Sequence, residues 1–235
     1  MPLSTEPWPL DRSRAVVFNT EAAWVFFDSA DYRRHVEGAT HIYCDGAGLA
    51  AYVRLRFRRS ITRLHGPDLF AGYLDRATGR RVLLLGGTEA AHDGLAARHP
   101  RFFADNAVTV DSAMLPAERF KARAAEVAAA GFDDVLIFLG LGRQERFQYL
   151  LHEAGHRGSS VGLGAAIDFL SGTKPRSGPL WQALGLEWLP RLLREPRMWP
   201  RVGRSFALFL RLPDAGNAAL WAFLFAQPAE PRKSA

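Results

Sequence analysis

One carboxylate, Asp45, lies between an apolar run and two closely spaced glycines. The run covers residues 41–44, and Gly46 and Gly48 follow Asp45. A carboxylate at the end of a strand can accept the proton of an attacking hydroxyl group, and glycines let a ligand approach the backbone closely. We therefore predict that Asp45 is a catalytic base. The alternative is that Asp45 caps the helix that follows.

Glycines also follow two later apolar runs. Gly86 and Gly87 precede a helical pattern, and the free N–H groups at a helix start can bind a phosphate or another polar group; the alternative is a plain tight turn. Gly140 opens a segment that carries Gln144 and Glu145, an amide and a carboxylate. For Glu145 the alternative is that it only favours the start of its helix. Neither segment has the spacing of a dinucleotide-binding or P-loop motif.

Residues that bind metal ions show no convincing pattern in this chain. The acidic pair Asp133 and Asp134 precedes an apolar run, so it belongs at the opposite edge of a parallel sheet. No two histidines have the spacing of a helical zinc site. We expect no metal and no other cofactor, and we assign His41, His65 and His99 to the surface or to packing.

Short apolar runs predict strands, and helical patterns alternate with them. The predicted strands are residues 15–18, 41–44, 81–85, 107–110, 135–139 and 160–163. The predicted helices are residues 48–57, 89–98, 117–130 and 145–153. Such apolar strands are typical of buried parallel sheets, so the predicted fold class is α/β, a Rossmann-like parallel sheet with helices on both faces. Its ligand is expected beyond the carboxyl ends of the strands.

The composition indicates one globular domain in a reducing compartment. The chain has 235 residues, 48% of them hydrophobic, and its single cysteine, Cys44, excludes an internal disulfide. The first residues do not have the pattern of a secretory signal, and no apolar run reaches the roughly 18 residues of a membrane span. We therefore expect a cytoplasmic protein.

After residue 172 the sequence becomes rich in Pro, Trp and Arg. Apolar residues recur there at helical spacing from Trp181 to Leu192, which predicts a helical appendage with one apolar face. We divide the chain into a catalytic core, residues 1–172, and this appendage, residues 173–235, which is expected to close the active site and contact the membrane. Between Lys174 and Arg211 basic residues greatly outnumber acidic ones. This charge suits phosphate groups, anionic lipid or nucleic acid; a solvated arginine face is the alternative.

Apolar side chains beside these arginines support peripheral attachment to the inner face of the cell membrane. The alternative is that they cover the core or a second subunit, and the pattern leaves a homo-oligomer open. The residues are Phe206, Leu208, Phe209, Leu210, Trp221, Phe223 and Phe225.

Taken in order, the motifs at the strand ends resemble those of the WecG/TagA/CpsF glycosyltransferases. The resemblance spans about residues 16–204. It consists of Asn19, Asp45 with Gly46-Ala47-Gly48, Gly66-Pro67-Asp68-Leu69, residues 84–87, residues 139–145, residues 161–172 with Asp168, and residues 185–191. The order and spacing together are specific, whereas no single segment is.

The resemblance implies an inverting glycosyltransferase. Its donor would be a UDP-sugar of N-acetylmannosamine or a related hexose, and its acceptor a saccharide on a polyprenyl diphosphate, in the synthesis of cell-surface polysaccharide. By the same resemblance, Asp45 matches the proposed base, Gln144 matches a residue of the active-site rim, and arginines of the appendage match those expected to grip the donor diphosphate. Our candidates for these are Arg191, Arg197 and Arg201. The other expected donor- or substrate-binding residues are Asn19, Gly46, Gly86, Gly87, Gly140, Glu145 and Asp168.

Two other functions fit parts of the pattern. A noncatalytic sugar-nucleotide or lipid-binding protein could share the fold, because a fold alone does not establish activity; the presence of Asp45 and Gln144 argues against it. A nucleic-acid-binding module is suggested by the net charge of +6 and by arginines near tryptophans. Carboxylates at the strand ends repel a phosphate backbone, so we expect no nucleic-acid partner.

Overall fold

Six parallel strands in the described part of the chain form the centre of the molecule. The computed structural model describes Trp8, residues 12–175, Gly178, Trp181, residues 199–210 and residues 215–225. The strands are β1 Arg14–Phe18, β2 His41–Cys44, β3 Arg81–Gly86, β4 Ala107–Asp111, β5 Asp134–Phe138 and β6 Ser159–Gly162. Their order in the sheet is β2-β1-β6-β5-β3-β4, and each neighbouring pair is parallel. The predicted α/β class is confirmed, and each strand lies within one residue of its predicted bounds.

Helices connect the strands and cover both faces of the sheet. They are α1 Thr20–Asp28, α2 Ala30–Val36, α3 Ala47–Phe57, α4 Gly66–Arg76, α5 Glu89–Arg98, α6 Pro100–Asp105, α7 Phe120–Ala130, α8 Arg143–Glu153, α9 Ala166–Leu170, α10 Trp199–Leu210 and α11 Ala215–Phe225. The helix predicted over residues 117–130 starts as a 3-10 turn, Ala117–Arg119, and ends before Gly131. Gly131 has a φ of 68°, the left-handed conformation that commonly ends a helix.

Alternating side chains of the strands form a core on each face of the sheet. Along β5, Leu136 and Phe138 pack with α4, α5 and α9 on one face, whereas Val135 and Ile137 pack with α7 and α8 on the other. Every residue of β5 is buried. Burial on both faces explains why β5 is a continuous apolar run in the sequence.

Helices α10 and α11, which belong to the predicted appendage, pack on the core. Leu208 of α10 and Leu220 and Leu224 of α11 are buried in a cluster that also contains side chains of α1 and α3. The Tyr52 hydroxyl of α3 donates to Asn217 Oδ1 of α11 at 2.6 Å. Of the apolar residues that were expected to contact the membrane or cover the core, Leu208 therefore covers the core, and Phe209, Phe223 and Phe225 pack partly buried against the same cluster.

The helical pattern predicted from Trp181 to Leu192 lies, apart from Trp181, outside the described residues. None of the helices in the described ranges combines the length and the apolar composition that a membrane span requires.

Candidate active site

The carboxyl ends of the parallel strands form one edge of the sheet, here named the carboxyl edge, and the predicted site residues follow the strands there. β1 and β2 pair with Phe18 opposite Cys44, and the amide of Asp45 donates to the carbonyl of Phe18 at 2.9 Å. Asn19 and Asp45 are therefore neighbours at this edge. In the sheet, β2 lies on one side of β1, and β3 lies on the other side. Asp45 follows β2, an edge strand, and lies at the carboxyl edge, the side on which open parallel sheets bind ligands.

Asp45 lies before the start of the next helix and does not cap it. The N-cap of α3 is Gly46, with a φ of 89° and no side-chain cap hydrogen bond, so the capping interpretation of Asp45 is wrong. The positive φ favours glycine, and no atom lies within 4 Å of the position that a Cβ of Gly46 would take. The Asp45 side chain is 30% exposed. Its carboxylate is accessible to a ligand at the carboxyl edge.

A histidine that the sequence analysis assigned to the surface or to packing contacts Asp45. His65 Nδ1 lies 3.1 Å from Asp45 Oδ1. His65 is the N-cap of α4, and the amide of Leu64 just before it donates to the carbonyl of Cys44 at 2.9 Å. This backbone bond joins the residues that precede His65 and Asp45, and so holds their side chains together.

Gln144 ties the loop after β5 to the loop after β6. Its Oε1 accepts from the amide of Gly164 at 3.0 Å, and its Nε2 donates to Glu145 Oε1 at 3.1 Å. A Cβ on Gly162 would lie 2.8 Å from the Gln144 side chain. Glycine at this position in β6 therefore makes room for the buried amide.

Glu145 is buried in the first turn of α8 and holds the loop that precedes the helix. Its Oε2 accepts from the amide of Gly142 at 2.6 Å, and its Oε1 accepts from Gln144. Burial raises the pKa of Glu145 to about 7, although these hydrogen bonds and the charge of Arg14 act in the opposite direction. Glu145 thus supports the start of its helix, as the alternative interpretation proposed, and direct contact with a ligand stays a prediction.

Two glycines shape the loop after β3. Gly86 and Gly87 have φ values of 85° and 83°, and a Cβ on Gly86 would lie 2.9 Å from Leu139 Cδ2. His92 Nε2 donates to the carbonyl of Gly86 at 2.7 Å. Thr88 then caps α5 by accepting from a backbone amide of its first turn. This arrangement brings the start of α5, a favourable position for an anion, to the carboxyl edge.

Asn19, Asp168 and Gly140 also lie along the carboxyl edge. Asn19 Oδ1 caps α1 by accepting from the amide of Ala22 at 2.9 Å. Asp168 Oδ2 pairs with Lys174 Nζ at 2.5 Å. Gly140 has a φ of 81° and no atom within 4 Å of a Cβ placed on it. The two side chains are held by local partners, and contact with donor or acceptor stays a prediction for all three residues.

The acidic pair lies at the opposite edge, here named the amino edge, which the strand starts form. Asp134 is completely buried and accepts from Arg80 Nε at 2.7 Å, from Arg80 Nη2 at 2.9 Å and from the Tyr73 hydroxyl at 2.9 Å. Asp133 Oδ2 accepts from the amide of Arg81 at 2.8 Å. The predicted location of this pair is confirmed. Within the described ranges, no group of three or more His, Cys, Asp or Glu side chains could hold a metal ion.

Comparison with protein families identifies the chain. The family described as "Glycosyl transferase WecG/TagA/CpsF family" matches residues 8–217. The chain belongs to this family. The match covers most of the sequence and includes the carboxyl edge with Asp45, Gly86 and Gln144. The resemblance inferred from the motifs is confirmed, and it supports a glycosyltransferase role.

The arginines expected to bind the donor of this glycosyltransferase lie in the predicted appendage. Arg191 and Arg197 lie outside the described residues. Arg201 lies on α10, although its side chain is not among those described. Their contact with a donor diphosphate stays a prediction.

Helix α10 is fixed beside the carboxyl edge of the glycosyltransferase by contacts with the first turn of α1. Arg204 Nη2 donates to Glu21 Oε1 at 3.1 Å, and the Thr20 hydroxyl donates to Ser205 Oγ at 3.0 Å. Thr20 directly follows Asn19. The part of the appendage that carries Arg201 is therefore anchored close to the predicted site.

A second basic segment of the glycosyltransferase, which was not predicted from the sequence, is here named the basic loop. It covers residues 54–63, the last turn of α3 and the segment that leads towards α4, and no Asp or Glu stands between Asp45 and Asp68. Acidic residues elsewhere cancel its charge in the net sum, which concealed it. The guanidinium of Arg59 lies 5.2 Å from the ring centre of Trp221, so the loop contacts α11. Its arginines are Arg54, Arg56, Arg58, Arg59 and Arg63.

Proposed function

We propose that the protein is an inverting glycosyltransferase that moves a sugar from a UDP-sugar to a saccharide carried by polyprenyl diphosphate. The donor sugar is N-acetylmannosamine or a related hexose, and the product enters a cell-surface polysaccharide. The observation that carries the proposal is the position of Asp45. It is a partly exposed carboxylate at the ligand-binding edge of a parallel sheet, in a member of this family.

Asp45 supplies the base that the reaction needs. An acceptor hydroxyl is a weak nucleophile near neutral pH, and a carboxylate within hydrogen-bond reach accepts its proton as the new C–O bond forms. The bond between the anomeric carbon and the diphosphate breaks in the same step, and UDP leaves. A single displacement of this kind inverts the anomeric centre without a covalent enzyme intermediate.

A helix start and the arginines stabilise the departing diphosphate in this proposal. The first turn of α5 follows Gly86 and Gly87 at the carboxyl edge, where its amides favour an anion. Forked guanidinium groups bind phosphate oxygens in pairs. We assign this binding to Arg201, on the anchored α10, together with Arg191 and Arg197.

Peripheral attachment to the inner face of the membrane belongs to the proposal, because a polyprenyl chain is held in a bilayer. Trp199, Phe206 and Leu210 of α10 are 64%, 58% and 82% exposed, and their spacing places them on one face of the helix. Arg56 of the basic loop donates to a backbone carbonyl of α10 at 3.0 Å. Exposed apolar side chains next to arginines favour the interface of an anionic membrane.

The test is a UDP-release assay with a panel of UDP-sugars and a short-chain polyprenyl-diphosphate saccharide. We expect release that depends on the acceptor and on one class of donor. Asp45→Asn should lower kcat by about 10²- to 10⁴-fold, because an amide cannot take the proton. Asp93→Asn, on the exposed side of α5, is the matched control and should leave kcat unchanged.

Each part of the proposal can fail separately. Measurable UDP binding without release from any donor would favour the noncatalytic sugar-nucleotide-binding protein. Release that Asp45→Asn leaves intact would remove Asp45 as the base. A product with the anomeric configuration of the donor, measured by NMR, would contradict the single displacement.

A further inference from the structure

We propose that His65 is a positioning residue for the catalytic base. Its Nδ1–H donates to Asp45 Oδ1 and holds the carboxylate so that Oδ2 receives the proton of the acceptor hydroxyl. This inference rests on the proposed function and adds a residue to its active site. The motif that helped to identify the family begins at Gly66 and does not include His65.

The distance and the chemistry of the His65–Asp45 pair together determine which atom donates the hydrogen bond. His65 Nδ1 and Asp45 Oδ1 are 3.1 Å apart, within hydrogen-bond distance. An ionised carboxylate can only accept, so the hydrogen lies on His65 Nδ1 whether the ring is neutral or protonated. The bond uses one oxygen of Asp45 and restrains rotation of the carboxylate. The Asp45 side chain is partly exposed, and in this proposal Oδ2 is the oxygen that meets the substrate.

Backbone hydrogen bonds hold both residues in place for this contact. The amide of Asp45 donates to Phe18, and the carbonyl of His65 accepts from Asp68 and Leu69 at 3.0 and 2.9 Å in the first turn of α4. A proline in that turn restricts the backbone further. The His65 side chain makes no cap hydrogen bond to its own helix, although it occupies the N-cap position. It contacts Asp45 instead.

The restraint matters during proton transfer. The acceptor proton moves to Asp45 Oδ2 while the C–O bond forms and the electron pair of the breaking bond leaves with UDP. His65 keeps its proton throughout, so it acts through Asp45 and not on the substrate. Small misplacements of a reacting group cost up to about 10²-fold in rate, and a hydrogen bond to a charged group is one of the stronger restraints.

Three substitutions at residue 65 test the proposal in the full-length protein with the UDP-release assay. His65→Ala removes the donor, His65→Asn keeps an N–H group near the position of Nδ1, and His65→Gln places its amide one carbon further away. We expect kcat to fall about 10- to 100-fold for Ala and Gln and to stay within about 3-fold of wild type for Asn. The KM for the donor should change less than about 2-fold, because substrate contacts remain.

His99 provides a matched control for these variants. It is the N-cap of α6, which also has a proline in its first turn, and it likewise makes no side-chain cap hydrogen bond. His99→Ala should leave kcat unchanged. In the Asp45→Asn background, His65→Ala should lower the residual rate by less than about 2-fold, because the group through which His65 acts is gone.

Three results would overturn the positioning role. The first is an unchanged kcat in His65→Ala, and the second is an equal loss of kcat in His65→Asn and His65→Ala. The third is a double variant of Asp45→Asn and His65→Ala whose loss of kcat equals the product of the two single losses. If Asp45→Asn lowers kcat and His65→Ala does not, only this inference fails. If neither substitution lowers kcat, Asp45 is not the base and the proposed function fails at that point as well.

Discussion

Two aspartates at opposite edges of the same sheet have opposite surroundings. At the amino edge, Asp134 is completely buried, and Arg80 and Tyr73 donate to its oxygens. At the carboxyl edge, Asp45 is partly exposed and accepts from His65. Both carboxylates adjoin an apolar strand, Asp134 at the start of β5 and Asp45 after the end of β2, so residue type does not separate them. The direction of the strand does, because ligands bind where parallel strands end and not where they begin.

The largest expected difference between the edges is in stability. Asp134→Asn leaves Arg80 facing a buried neutral amide, so the free energy of unfolding should fall by about 3 to 5 kcal/mol. Asp45→Asn should lower it by less than about 1 kcal/mol, because that pair is partly exposed to water. Urea denaturation of the two variants measures both values. Equal losses would contradict the division of roles between the edges.

Gly162 leaves the space that the Gln144 side chain occupies at the carboxyl edge. Gly162→Ala places a methyl group against the Gln144 side chain, so we expect a loss of about 1 to 3 kcal/mol in stability and about tenfold in kcat/KM. Gly72→Ala, in α4 where no atom lies within 4 Å of an added Cβ, is the control. It should keep full activity and stability, since alanine favours a helix interior. A fully active Gly162→Ala would show that the Gln144 bonds do not shape the site.

Glu145 makes the stability of the carboxyl edge depend on pH. Its folded pKa of about 7 lies above the ordinary value of 4.5, so the folded chain binds this proton more tightly than the unfolded chain. The contribution is complete below pH 4.5 and is lost as the pH rises through 7. We expect the wild type to lose about 2 kcal/mol between pH 5.5 and pH 8 relative to Glu145→Gln, which cannot titrate.

Thermal or urea unfolding of both proteins across that range checks this prediction. Half-buried His152, whose pKa desolvation lowers to about 4, changes stability in the opposite direction as the pH rises from 4 to 6.5. It is present in both proteins, so its effect cancels in the comparison. Parallel stability curves would show that Glu145 is not the titrating group.

The smallest expected effect concerns the exposed face of α10. The double substitution Phe206→Glu with Leu210→Glu should weaken binding to anionic phospholipid vesicles about tenfold, because it removes apolar contact and adds repulsion. Met114→Glu is the control, since Met114 is 91% exposed but lies outside α10. Co-sedimentation with vesicles measures the difference. Equal binding of the double variant and the control would exclude this face as the membrane contact.

The strands were predictable because burial on both sides of a parallel sheet requires continuous apolar runs. Asp45 and the glycines after β3 and β5 were predictable for a related reason, since they mark where those runs end. Helix α4 was missed because it begins with Gly66 and Pro67, a pair that is typical of turns. Pro67 instead occupies the first turn of the helix, where its missing N–H is tolerated.

The contact between His65 and Asp45 could not be predicted from the sequence. The two residues are 20 positions apart, and their approach depends on how the segment before α4 bonds to the end of β2. The basic loop was predictable from the sequence, because its arginines all lie within residues 54–63. It was missed because the net charge of the whole chain averages it with acidic residues elsewhere.

Hydrogen–deuterium exchange with and without UDP tests most directly whether the carboxyl edge is the functional one. We expect slower exchange at the amides after β1, β2, β3 and β5, including those of Asp45 to Gly48, with no change around Asp134. Protection confined to the amino edge would contradict it. The alternative site for UDP at the amino edge is a cavity whose lining includes Arg76, Arg98 and Arg101.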